Sequence, residues 1–345
     1  MKRKQWLYVS AGIAACLVGI SQLEGIDRFV EYAREQSGRA VFAPLSSEWL
    51  AAVQVADVNG LEKRRAEMRS RIEEEAKRRY VAPVNAVVDR VWKAIPGYNG
   101  LELDVEKTLE LAEQEGFPEP PKLIMREIPA KVHIDQLGPH PVYKGNPNKP
   151  MVSLMINVAW GDEYIPKMLD TLREENVKAT FFFDGSWLNQ NIATARTIMQ
   201  EGHEVSNHAY SHPKMSTLDR ARATSEIAKT EALLTKELGA KNKLFAPPAG
   251  DFNQATVDIA HGMGLRTVLW TLDTVDWKKP SPASIVRKIA DHVEPGSLIL
   301  MHPTEPSSSA LKEMIRVIKA KGLSLGTVSE TISPKRVPEV ESAEQ

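Results

Sequence analysis

His208 and His212 stand four residues apart in NHAYSHP, a spacing that can turn two imidazoles the same way and offer a cation two nitrogen ligands. Alone, that spacing specifies nothing, because a catalytic zinc takes three protein ligands and an open position. Asn157, the one amide in the apolar run 152–158, stands where a strand end would present it to such a site. An amide cannot accept a proton near neutral pH, so it cannot activate water as a carboxylate does.

The elements that must position these groups are legible from periodicity. Residues 152–158 are short and near-continuously apolar, which suits a parallel strand covered on both faces. Ile165, Met168, Leu169 and Leu172 recur at helical spacing, and KATFFF (178–183) reads as a second strand. The order is strand, helix, parallel strand.

YIPKMLDTL followed by VKATFFFDG resembles the opening of the polysaccharide deacetylase family, carbohydrate esterase family 4, also called the NodB homology domain. NHAYSHP resembles its metal-binding histidine motif, FAPPAG (245–250) its RPPYG segment, LDTVDW (272–277) its DxxDW segment and ILMHP (299–303) its final LxH. Five motifs in the family's order are far more specific than any one of them.

The resemblance implies a site with substitutions. Aligned without a gap on Tyr164 and Pro166, the family's TFDDG falls on residues 155–159, so Asn157 replaces the general base and Val158 replaces a metal ligand. His208 and His212 remain of an Asp-His-His set that would hold zinc or another divalent metal. Ala246 and Ala249 take the places of the RPPYG arginine and tyrosine, while Pro247 and Pro248 are kept as part of the substrate pocket. His302 corresponds to the general-acid histidine, Asp273 and Asp276 to the acidic pair that orients groups around it, and Trp277 and Leu300 to the lining of the acetyl pocket. Asp162 and Glu163 could supply a substitute acid, or simply favour the dipole of the helix after them.

Two functions follow as expectations. One is a pseudoenzyme that binds N-acetylated glycan, peptidoglycan above all, or a wall-building partner. The other is an active metal-dependent N-deacetylase of the same glycan. MINVAWGDEY and REIPAKVHIDQL resemble the YlxY-type branch of the family in spore-forming bacteria, which implies a role in sporulation.

A net charge of -1, from 44 Lys+Arg against 45 Asp+Glu, gives no reason to invoke nucleic acid. Basic residues 1–5 precede an uncharged run, 6–23, long enough as a helix to cross a bilayer, with Lys2, Arg3 and Lys4 expected on the cytoplasmic side. Segment 1–23 is expected to be a signal anchor or a cleaved signal peptide, placing the rest of the chain outside the cytoplasm. Cys16, the only cysteine, lies within it in a faintly lipoprotein-like context, and the exported part has no disulfide. Residues 24–80 read as a charged helical stalk, and 81–117 as a small αβ subdomain with Asp104 as a helix N-cap and a faint likeness to peptidoglycan-binding modules. Residues 118–150 are a Pro/Gly-rich linker without regular structure, whose His133 and His140 are incidental. The alternation of strands and helices over 151–332 argues a barrel-like parallel sheet, and the resemblance implies a distorted (β/α)7 barrel; 333–345 is a disordered tail.

Overall fold

The computed structural model describes the backbone of residues 47–337 and the side chains of residues 60–337. The expected membrane segment with Cys16, the first part of the stalk and the end of the tail lie outside the described residues. Among those described, no helix is long and apolar enough to cross a membrane. The chain divides into two compact units, residues 1–67 and 68–345.

The boundary falls within α1 (Ser47–Arg78). The charged run does not end as a free stalk, because Met68 and Ile72, one helical turn apart, are buried with Leu103, Leu109 and Ala112. Arg69 adds a two-pronged ion pair to Glu106, at 2.7 and 2.8 Å. The small subdomain they cover contains the hairpin β1 (Val87–Asp89) and β2 (Lys93–Ile95), then β3 (Gly100–Leu103) and α2 (Val105–Gln114), whose N-cap Asp104 accepts from the Lys107 amide. β4 (Met125–Ile128) pairs antiparallel with β3, so the expected linker contributes a strand.

The main domain runs β5 (Met151–Val158), α3 (Ile165–Glu174), β6 (Thr180–Phe183), α4 (Gly185–Gln190), α5 (Ile192–Gln200), β7 (Glu204–Asn207), α6 (Arg220–Leu238), β8 (Leu244–Phe245), α7 (Gln254–Gly262), β9 (Arg266–Thr267), β10 (Leu272–Asp273), α8 (Pro282–His292), β11 (Leu298–Met301), α9 (Glu305–Ala320), β12 (Ser324–Gly326) and α10 (Val328–Ile332). α4 and α5 are separated at Asn191, whose φ of -124° is not helical.

Every strand pairing of this sheet is parallel, in the order β10-β11-β5-β6-β7-β8-β9. β12 joins β5 ahead of β6 on the same edge, since Ser153 pairs with both Leu298 and Gly326 and Met155 with both Leu300 and Thr180. The two ends of the order, β9 and β10, are consecutive in the chain, so the sheet curls back on itself as a half-barrel. Val142 from the linker fills the edge beside β9: its amide donates to the Thr267 carbonyl at 2.9 Å and its carbonyl accepts from the Leu269 amide at 2.8 Å. The Pro/Gly-rich stretch is therefore built into the sheet rather than looped past it.

β5 is apolar throughout because both its faces are covered. Val152, Leu154, Ile156 and Val158 pack with Ile165, Met168 and other residues of the helical layer. Met155 packs with Phe182, Leu244 and Leu298 on the inner face. This pleat alternation decides what the strand presents to the site.

Candidate functional site

A cavity of about 320 Å³ opens at the carboxyl ends of the strands, lined by Asn157, Ala159, Trp160, His208, His212, Ala249, Trp270, Asp273, Trp277, Leu300 and His302. Residues at or after the ends of six strands, β5 and β7 to β11, meet there. That is where parallel αβ sheets place their sites.

The histidine loop is held from below. Asn207, at the end of β7, donates to the Ile227 carbonyl at 2.9 Å and accepts from the Ala209 amide at 2.9 Å. A Glu226 carboxylate oxygen takes the amides of Tyr210 and Ser211 at 3.0 and 2.8 Å. These bonds keep Ala209 and His212 in the left-handed region, at φ of 60° and 55°, and bring the His208 and His212 rings to 5.2 Å. His208 is buried, and its Nδ1 lies 2.7 Å from the Ala246 carbonyl, so that nitrogen carries the proton and Nε2 keeps its lone pair. Burial first, then the neighbouring His212, pushes the His208 pKa down to about 3. It is a neutral imidazole at physiological pH.

Asp276 is fully buried and accepts from the His302 amide at 2.6 Å, faces His302 Nδ1 at 2.8 Å and accepts from Ser307 Oγ. Burial pushes the Asp276 carboxyl up, but these hydrogen bonds outweigh it and hold it below the ordinary carboxylate range. The carboxylate thus fixes the His302 ring and its tautomer. Asp273 lines the cavity, and its Oδ1 accepts from the Val275 amide at 2.7 Å. Trp277 stands 54 % exposed at the rim, while Leu300 lies buried beneath.

The structure redraws the strand end. Val158 does not stand at a ligand position: it is fully buried in the layer between sheet and helices, because the pleat turns alternate residues away from the cavity. Beyond the pleat, Ala159 and Trp160 line the cavity instead, and neither was singled out from sequence. Trp160 is placed by Gly161, which has φ 87°; a Cβ there would lie 2.0 Å from the Pro303 carbonyl oxygen. No side chain fits, so the loop after β5 is pressed against the loop after β11. Asn157 is 3 % exposed and lines the cavity as expected, and its Oδ1 has no hydrogen-bond partner among the described residues.

Two expectations fail on geometry. Asp162 is not a substitute ligand: it accepts from the Trp187 indole and lies outside the cavity lining. Pro247 and Pro248 are buried in the turn after β8 and shape it without lining the cavity, which leaves Ala249, at φ 52°, as that turn's contribution. Asp276 lies behind His302 and orients its ring, the part the resemblance gave to the acidic pair. Trp270, also missed, is held by Gly250, where a Cβ would lie 2.7 Å from its ring.

The donor set does not fit the metal that the resemblance implies. Two imidazoles converge, but among the described residues no group of three or more His, Cys, Asp or Glu side chains is arranged to hold an ion. The adjoining strand end supplies a methyl group and an indole, neither of which has a lone pair to give.

Residues 144–268 match the family profile of polysaccharide deacetylase. The chain is 44 % identical over 257 residues to uncharacterized protein YlxY of Bacillus subtilis, covering 74 % of this chain and 81 % of that protein. It is 35 % identical to a peptidoglycan-N-acetylglucosamine deacetylase of Bacillus cereus, over 52 % of this chain and 67 % of that one. A crystal structure described as a CE4 family pseudoenzyme from Bacillus anthracis superposes with a TM-score of 0.73 at 39 % identity, covering 78 % of this chain and 96 % of that one. With the five motifs gathered around one cavity at the carboxyl ends of a curled parallel sheet, these matches establish that the chain belongs to the polysaccharide deacetylase family.

Proposed function

We propose that the protein binds N-acetylated glycan of the peptidoglycan type at the cell envelope and does not deacetylate it. The observation that carries this reading is the strand end after β5. Asn157, Ala159 and Trp160 line the cavity where amide hydrolysis would need a base and a third metal ligand. Read on Gly161, the family's TFDDG falls on residues 157–161, and its two aspartates fall on Ala159 and Trp160. What remains suits binding: Trp160 and Trp277 are half exposed at the rim and offer flat faces to a sugar ring, and the unpartnered Asn157 Oδ1 can accept from an acetamido N–H.

The curled sheet supports reading 151–332 as the distorted (β/α)7 barrel of the family. Anchoring by residues 1–23, an extracytoplasmic main domain and a part in sporulation rest on the sequence pattern and on the resemblance to the YlxY-type branch. Residues 81–117 are a candidate second contact with peptidoglycan.

Calorimetric titration of the full chain with N-acetylglucosamine oligomers and with their de-N-acetylated counterparts tests the reading. Binding is expected for the N-acetylated oligomers, weakened about tenfold by Trp160→Ala or Trp277→Ala, with no acetate released. A second reading, residual deacetylation, is favoured by the intact His302–Asp276 pair. Acetate release that disappears in His302→Ala would establish it and overturn the first.

A further inference from the structure

Of the ten large hydrophobic side chains exposed among the described residues, seven lie between Tyr80 and Trp92 in the small subdomain, and only two belong to the glycan-binding cavity. Four of the seven sit on the β1–β2 hairpin. Val87, Val88 and Val91 are 50, 48 and 63 % exposed, and Trp92 is 37 % exposed. In a half-buried hairpin one of two successive strand residues turns inward. Here Val87 and Val88 both face solvent, while β2 is seated on the segment 141–143 through the Lys93–Val142 bridge and the Ala94 amide to the Pro141 carbonyl, so β1 and the turn form an exposed apolar edge.

The tip is rigid. Asp89 pairs with Lys93 across a three-residue connection, and Asp89 Oδ1 accepts from the amides of both Val91 and Trp92 at 2.7 Å. Those two hydrogen bonds hold the Asp89 carboxyl below its usual range and satisfy its charge within the turn. Lys93 takes the left-handed conformation, φ 57°, that such connections place after the turn. The remaining charges at the tip are cationic. Arg90 lies in the turn, Lys93 follows it with its Nζ 3.1 Å from the Arg90 carbonyl, and Lys144 Nζ stands 5.2 Å over the Trp92 ring.

We propose that the β1–β2 tip is a membrane-contact element: Val87, Val88, Val91 and Trp92 enter the headgroup region of a bilayer, and Arg90, Lys93 and Lys144 meet anionic lipid. An exposed apolar edge flanked by cations, with a tryptophan at its end, has the composition that favours the bilayer interface. The sequence beyond the described residues points to the same partner, since 46 residues precede the first described helix and include the basic start and the uncharged run 6–23. The tip would add a second attachment, which brings the subdomain down onto the lipid surface.

The test uses the full chain with Cys16→Ser, so that a single introduced cysteine can carry an environment-sensitive fluorophore, at Val91→Cys or, as a distant control, at Glu313→Cys on exposed α9. Each is mixed with vesicles of phosphatidylethanolamine and phosphatidylglycerol, and with vesicles of phosphatidylcholine alone. A blue shift and quenching by brominated acyl chains are expected at position 91 and not at 313. Both should be stronger on the anionic vesicles and fall at least severalfold in Arg90→Glu with Lys93→Glu. No shift at 91 on vesicles that sediment with the protein overturns the proposal, as does a failure to bind vesicles. A shift at 91 that needs no vesicles and rises with protein concentration also overturns it, in favour of a second copy seated on the tip.

Discussion

The Trp160 indole lies stacked against the His302 imidazole, with ring centroids 5.9 Å apart and planes within 10° of parallel. The two side chains come from loops after β5 and β11 that Gly161 and Pro303 press together. An aromatic ring thus covers the cavity histidine that a buried carboxylate orients.

Returning carboxylates to this strand end should reverse the change. Trp160→Asp is expected to tighten zinc binding by the full chain at least about tenfold in calorimetric titration, since it gives two converging imidazoles an anionic partner. Adding Ala159→Asp should then raise acetate release from N-acetylglucosamine oligomers by about 10²- to 10⁴-fold, the usual range for a positioned base. Unchanged zinc affinity in both variants would falsify the placement of these two residues.

Gly161→Ala should cost more than a surface alanine. A non-glycine residue in the left-handed region costs about 1–3 kcal/mol, and the added methyl meets the Pro303 carbonyl, which is backbone and cannot swing away. A fall of several degrees in the unfolding midpoint is expected, with a change in tryptophan fluorescence as Trp160 loses its seat. A variant with wild-type stability and spectrum would show that the two loops are not in contact.

Ser307→Ala removes one of the hydrogen bonds that keep Asp276 ionised while buried. The expected loss is about 1–3 kcal/mol, the range for depriving a buried charged acceptor of a donor. Ser307→Thr should retain most of it. Urea unfolding at neutral pH separates the three proteins, and equal stability of the alanine variant and the wild type would remove Ser307 from the arrangement.

His203 makes stability depend on pH. Its ring is buried against Phe181, and its Nδ1 accepts from the Ala179 amide at 3.2 Å, so protonation there would break a strand-end hydrogen bond. Burial first, then Lys178, lowers its pKa to about 4. The unfolded chain takes up this proton near pH 6.5 and the folded chain only near 4, so the contribution is full above about 6.5 and declines as pH falls toward 4. His203 should account for a loss on the order of 2–3 kcal/mol across that window. Denaturant midpoints at pH 7 and pH 4.5 should differ less in His203→Gln than in the wild type. An equal difference would assign the acid sensitivity elsewhere.

The strands and helices of the main domain were legible because their signals are local. Val152 to Val158 reads as a doubly covered strand and Ile165 to Leu172 as an apolar helix face without any knowledge of what packs against them. The linker was not legible in this way. Val142 pairs with β9 through backbone atoms alone, and backbone pairing across more than a hundred residues leaves no pattern in side-chain identity.

By itself the sequence determined the family and the order of its motifs along the chain, because those follow from which residues are present and how they are spaced. Only the tertiary structure decided which atoms face the cavity. The pleat turns Val158 toward the helices, and the chain beyond the strand end brings Trp160 against His302. The close approach of Gly161 to the Pro303 carbonyl, between residues more than a hundred positions apart, seats that strand end.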